Sequence, residues 1–161
     1  MVTSVVVQLG PEDWAELREI RLRALADAPD SFGAVLAEVE AYDDAVWRDR
    51  LSTSNPTWVV RDAAGTVAMA GGFAPADSPV AFVWGMWTAP EARGRGHSSA
   101  LLDTVVTWAR TIGRTPHLHV TEGNDGARRL YVRHGFEPTG TWEPQREGSA
   151  LRIEELALSR G

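Results

Sequence analysis

From Met86 onward an apolar, aromatic run leads into Ala89-Pro90-Glu91-Ala92-Arg93-Gly94-Arg95-Gly96-His97-Ser98-Ser99, and then into an amphipathic segment. A strand, a glycine–arginine turn and a helix start, in that order, can make an anion site. Successive backbone N–H groups at a helix N-terminus point outward, and glycine lets a phosphate approach closely. Arg93 and Arg95 add positive charge at its mouth. The segment has neither the G-K-S/T of a P-loop nor the G-x-G-x-x-G of a dinucleotide fold, and G-x-G alone is equally a plain strand–helix turn. Downstream, His117 and His119 alternate within Pro116–Val120. A histidine can take a proton from an ammonium near neutral pH, yet the same alternation suits one polar strand surface. No third ligand cluster accompanies the pair, so no metal is expected.

The elements around these residues can be read from pattern. Val5–Leu9 reads as a first strand, and Gly10-Pro11-Glu12-Asp13 opens a helix whose stripe is Trp14, Leu17, Ile20, Ala24 and Leu25. Pro29-Asp30-Ser31 ends it, and a second helix covers Ala45–Leu51. Thr57–Arg61 and Thr66–Phe73 flank Asp62-Ala63-Ala64-Gly65, a hairpin signal. Val80–Thr88 is a long strand, and Ser98–Thr111 is a helix with Leu101, Leu102, Val105, Val106 and Ala109 on its apolar face. Pro116–Thr121 is a strand, Ala127–His134 a short helix ended by Gly135, and Phe136–Trp142 and Leu151–Leu158 are late strands. The order predicts one mixed α/β domain over residues 1–161.

Composition narrows the chemistry. A chain of 161 residues, 43% hydrophobic and 24% charged, is expected to be soluble and globular. The absence of cysteine excludes thiol catalysis, disulfides and Cys-ligated metals. All 16 cationic side chains are arginine, which excludes a Schiff-base lysine and a P-loop lysine. A net charge of −6 argues against a nucleic-acid partner. Met1–Gly10 has no basic, apolar leader pattern and no apolar run approaches the ~20 residues of a membrane span, so a cytoplasmic location is expected.

Two segments resemble one family. Arg93, Gly96 and the small Ser98 follow the R/Q-x-x-G-x-G/A loop of GNAT-superfamily N-acetyltransferases, with serine in place of the usual glycine or alanine. Leu118–Phe136 resembles that family's L-x-V-x-x-x-N-x-x-A-x-x-L-Y-x-x-x-G-F block, with Asn124, Ala127, Leu130, Tyr131, Gly135 and Phe136 in register. The resemblance spans about Trp84 to Gly140. It implies a GNAT-like fold: a mixed, mostly antiparallel sheet of about seven strands flanked by helices. That sheet would splay where Val80–Thr88 parts from Pro116–Thr121.

The resemblance further implies acetyl transfer from acetyl-CoA, as co-substrate, to the primary amine of a small molecule in a ternary complex. A peptide N-terminus is the alternative acceptor, and an acyl-CoA-binding module without strong catalysis is the alternative class. It is also compatible with a homodimer. Backbone amides from Arg95 to Ser99, including those of Gly96, His97 and Ser98, would hold the diphosphate beside Gly94. Met86, Trp87 and Thr88 would pair with the pantetheine arm, and an N–H near Met86 or Trp87 would polarise the carbonyl. Asn124 and Ala127 fall in the cofactor-contacting block, where Asn124 is also a natural N-cap. Tyr131 falls where the family places the acid that protonates the departing thiolate; a packed helical tyrosine is the alternative. His119 stands where related N-terminal acetyltransferases place a glutamate base, and Glu122 is the second candidate base.

Two further groupings bear on the acceptor. Asp27, Asp30, Glu38, Glu40, Asp43, Asp44 and Asp49 either attract a cationic amine or form a solvated helix face. Trp84, Trp87 and Trp142 either line an aromatic pocket or pack as core.

Overall fold

Stretches rich in Val, Thr and aromatics pair edge to edge into one sheet, and two layers of helix cover its apolar faces. The computed structural model describes residues 4–51 and 55–159; Met1–Thr3, at the start of the segment read for a leader, lie outside them. In chain order the elements are β1 (Val5–Gln8), α1 (Trp14–Asp27), α2 (Leu36–Glu40), α3 (Asp44–Asp49), β2 (Thr57–Asp62), β3 (Gly65–Phe73) and β4 (Val80–Thr88). They continue with α4 (His97–Thr111), β5 (Thr115–Thr121), α5 (Asp125–Arg133), β6 (Phe136–Pro144) and β7 (Arg152–Leu158). The seven strands lie in the order β1-β2-β3-β4-β5-β7-β6. Every neighbouring pair is antiparallel except β4–β5, which is parallel.

Alternation sends successive side chains to opposite faces. Val60, Ala70, Val83, Leu118 and Leu156 pack with Leu101, Leu102 and Val105 of α4 and with Tyr131 and Phe136. Val59 and Met69 face the other way, onto Leu17, Ile20 and Leu25 of α1 and Trp47 of α3. The end of α1 nearest β1 is pinned by Glu16, whose carboxylate takes Arg61 and the Thr66 hydroxyl. Arg61 holds that carboxyl below the usual range.

The expected elements are present with shifted ends and one addition. The second expected helix begins at Asp44, because the Asp43 side chain accepts the Val46 N–H at 3.1 Å. The helix expected from Ala127 begins at Asp125, capped by Asn124. The five-residue α2 was not expected; it buries only Val39, too little to show a period in sequence. Among the described residues, no helix is long and apolar enough to cross a membrane.

Candidate functional site

The site begins as a gap in the sheet. β4 and β5 pair only from Val80 and Thr115 to Val83 and Leu118, after which they part. The edges of Trp84–Thr88 and His119–Thr121 that face the gap make no pairing with each other. A bulge helps aim β4. Trp84 lies opposite Gly71 and Trp87 opposite Met69, so Ala70 faces both Gly85 and Met86. Gly85 takes φ +65°, a left-handed conformation that glycine enters without strain. The gap opens into a cleft of about 530 Å³.

At one end of the cleft stands the glycine–arginine turn. Gly96 caps α4 with φ +83° and offers no capping side chain. The first helical bond runs from the Ala100 N–H to the Gly96 carbonyl at 3.0 Å. The N–H groups of His97, Ser98 and Ser99 are therefore left without helical acceptors, beside the positive end of a 15-residue helix. Gly94, Gly96, His97, Ser98 and Ser99 line a hollow of about 240 Å³ that shares Thr88, Arg93 and Leu130 with the cleft. The Ser98 hydroxyl bonds that of Thr88 at 2.8 Å, so the serine ties the turn to the end of β4.

The two arginines of the turn are engaged by protein. Arg93 donates from Nε to the Thr88 carbonyl at 3.0 Å and from Nη2 to Asp27 at 2.8 Å. Arg95 lies 3.8 Å from Asp62, outside the cleft lining. Arg133, at the end of α5, joins the hollow and was not singled out from sequence.

Of the candidate catalytic groups, Tyr131 and His119 line one cleft and Glu122 does not. Tyr131 is 6% exposed, its ring set against Phe136, and burial pushes its phenol well above the ordinary range. His119 stacks on Phe82, with ring centroids 5.4 Å apart, and its Nε2 lies 3.7 Å from Glu143 and 3.9 Å from Glu155. His117 is bonded through Nδ1 to Glu155 and stays outside the cleft. Glu122 takes the backbone N–H and the guanidinium of Arg152, which hold its carboxyl below the usual range and make it a weaker base. Asn124 accepts the Ala127 N–H at 3.5 Å and also reaches Ser31; both Asn124 and Ala127 line the cleft.

Trp84 and Trp87 line the cleft, whereas Trp142 is 42% exposed beneath Arg152. Of the seven acidic residues grouped above, Asp27 alone is part of the lining. Its Oδ2 accepts both the Trp87 indole N–H, at 3.0 Å, and Arg93. Beside the cleft, the chain after α1 is tied to the far half of the sheet by contacts that no sequence pattern announces. Gln145 donates to the Asp30 carbonyl at 2.7 Å and to Thr121 at 3.2 Å, and Arg146 reaches the Phe32 carbonyl.

A parted parallel pair, a bulge and an uncapped helix start are thus brought to one place. The family model described as the acetyltransferase (GNAT) family matches residues 14–136. The chain belongs to the GNAT acetyltransferase family. No curated protein sequence matches it. Solved structures of similar fold include a GNAT acetyltransferase from Streptococcus pneumoniae, at 18% identity and TM-score 0.80, covering 96% of this chain and 98% of that one. Another is yncA of Salmonella typhimurium, solved with its cofactor acetyl-CoA, at 18% identity and TM-score 0.75 over 97% and 93%. A third is the ribosomal-protein-S18-alanine N-acetyltransferase of Escherichia coli, at 15% identity and TM-score 0.72 over 99% and 97%.

In this GNAT chain Asp27 holds two parts of the site together. Asp27→Ala leaves the buried Trp87 N–H unpaired and is expected to cost about 1–3 kcal/mol in urea unfolding. An unchanged midpoint would show that these bonds do not stabilise the fold.

Proposed function

We propose that this protein, acting as one domain, transfers an acetyl group from acetyl-CoA to the primary amine of a small molecule by direct attack in a ternary complex. The observation that carries this reading is the gap between β4 and β5, which runs from the free amides of α4 to the Gly85 bulge. The residues fit the cofactor. The amides of Gly96–Ser99 offer donors to a diphosphate, the free edge of Met86–Thr88 offers sheet-like pairing to an amide-bearing arm, and Asn124 and Ala127 form the facing wall. When bound, acetyl-CoA supplies an acetyl group activated as a thioester.

The remaining work falls to side chains and backbone. An N–H at Met86 or Trp87 would polarise the carbonyl, the role of an oxyanion donor. His119 would take the proton of the acceptor ammonium, directly or through water, so that a neutral amine attacks. A nitrogen–carbon bond forms as the carbon–sulfur bond breaks, Tyr131 would give its proton to the sulfur, and the proton shed by the nitrogen as it becomes an amide would restore the phenol. Burial keeps the Tyr131 phenol protonated until then, and a thiolate formed beside it suffers the same desolvation.

Ser31 and Phe32, which line the cleft and are held by Thr121 and Arg146, narrow it on one side and support a small amine over a protein N-terminus as acceptor. The decisive experiment follows thiol release from acetyl-CoA with aminoglycosides, polyamines, amino acids and peptides, beside thermal shifts with the same compounds. Release with a small amine supports the proposal. Shifts without release from any compound would leave a binding module instead. His119→Ala should remove the acidic limb of the kcat/KM–pH profile; a limb that persists would exclude His119 as the base.

A further inference from the structure

The buried stripe of α1 runs through Leu17, Ile20, Arg21, Ala24 and Leu25, so an arginine occupies a position that helical spacing reserves for an apolar side chain. Arg21 is 6% exposed, and its Nε and Nη1 have no hydrogen-bond partner among the described residues. Its guanidinium carbon lies 4.8 Å from the centre of the Phe32 ring and 5.4 Å from that of Trp84. A Cβ placed on Gly85 would lie 3.7 Å from its Nη1. Phe32, Trp84 and Gly85 line the cleft, and Arg21 lies behind them with its Nε and Nη1 closed to solvent.

Among the described residues, no carboxylate neutralises this charge. Burial and the repulsion of Arg50 pull its pKa down to about 10, which leaves it cationic at neutral pH, and no carboxylate offsets them. The chain has acids to spare, 22 against 16 arginines, and gives one each to Arg23, Arg61, Arg93, Arg95, Arg128 and Arg152. The most enclosed guanidinium among the described residues gets none. Aromatic rings satisfy the faces of a guanidinium through cation–π attraction but not its N–H edges. A buried cation with empty donors is costly, and an anion that arrives from outside would relieve it.

We infer that Arg21 binds a carboxylate on the acceptor, so that the amines this protein acetylates are amino acids. The inference rests on the acetyl-transfer reading and names its substrate class. Arg21 sets specificity from behind Phe32, Trp84 and Gly85: a ring moves aside as the carboxylate enters, the unpaired donors meet it, and the amine of the same molecule is left in the cleft that His119 lines.

The test compares each of the twenty α-amino acids, and the ω-series from β-alanine to 6-aminohexanoate, with its own primary amide. The amide keeps the size and the amine and removes the charge. Two readouts are taken: thiol release from acetyl-CoA, and calorimetric binding to the CoA-loaded protein, which needs no turnover. At least one acid should exceed its amide by about tenfold or more in kcat/KM and in affinity, because donors left unpaired reject the neutral analogue. Arg21→Met should bring that ratio close to one without lowering Tm, since it replaces an unpaired buried charge with an apolar chain of similar length. Should the Met variant fail to fold, Arg21→Gln gives the same comparison.

Amines acetylated with no preference for acid over amide would overturn the inference and leave acetyl transfer standing. A preference that survives in the variant would overturn it as well. Calorimetric discrimination without thiol release from any amine would uphold the carboxylate site and refute the transferase reading. No discrimination in either readout would refute the site.

Discussion

Gly96→Glu is expected to abolish measurable acetyl-CoA binding in calorimetry, a loss of more than about 100-fold, or ~3 kcal/mol. Gly96 sits at φ +83° as the cap of α4, where an L side chain bears about 1–2 kcal/mol of strain. The new carboxylate would also stand beside the free amides of His97, Ser98 and Ser99, at the positive end of the helix, and would repel a diphosphate. Gly96→Ala separates the two effects, because it keeps the strain and omits the charge, and it should lose far less affinity. Unchanged binding by the glutamate variant would remove the turn as the cofactor site.

Tyr131→Phe should lower kcat by about 100-fold or more while the acetyl-CoA Kd moves less than about threefold. The ring packs against Phe136 in the buried cluster and is kept by phenylalanine, so the change removes the hydroxyl and little else. Single-turnover kinetics with an acetylated amine would separate the chemical step from product release. An unaltered chemical rate would mean that the thiolate finds its proton elsewhere.

The glycine–arginine turn and the Asn124–Phe136 block were legible because each is a local device: a few consecutive residues make the cap, the free amides or the helix face. The ends of β4 were legible for the same reason, whereas its parting from β5 was implied only by the family resemblance. The order of the last two strands was not. β7 enters between β5 and β6, a matter of long-range pairing. With the structure in view the residues agree: β7 alternates and is half buried, whereas β6 carries Pro138, Thr139 and Gly140 and is exposed beyond Phe136, as an edge strand is. The join beside the cleft is harder still, since Gln145 meets Asp30 across 115 positions through one side chain and one carbonyl. Helical spacing places Arg21 inside, but only the packed neighbours reveal that no acid meets it there.

The short parallel join between β4 and β5 also has a mechanical consequence. Among the described residues, four residue pairs, Val80–Val83 with Thr115–Leu118, are all the strand pairing that links the β1–β4 half of the sheet to the β5–β7 half. On the α4 and α5 side one apolar cluster runs beneath both halves, but the cluster under α1 and α3 serves only the first. The two halves are therefore joined by an apolar cluster along one face and, along the other, by the polar bonds of Thr121, Gln145 and Arg146 to residues 30–32. A molecule lying in the gap acts as a cross-brace, and the rigidity of the protein becomes a property it shares with what it binds.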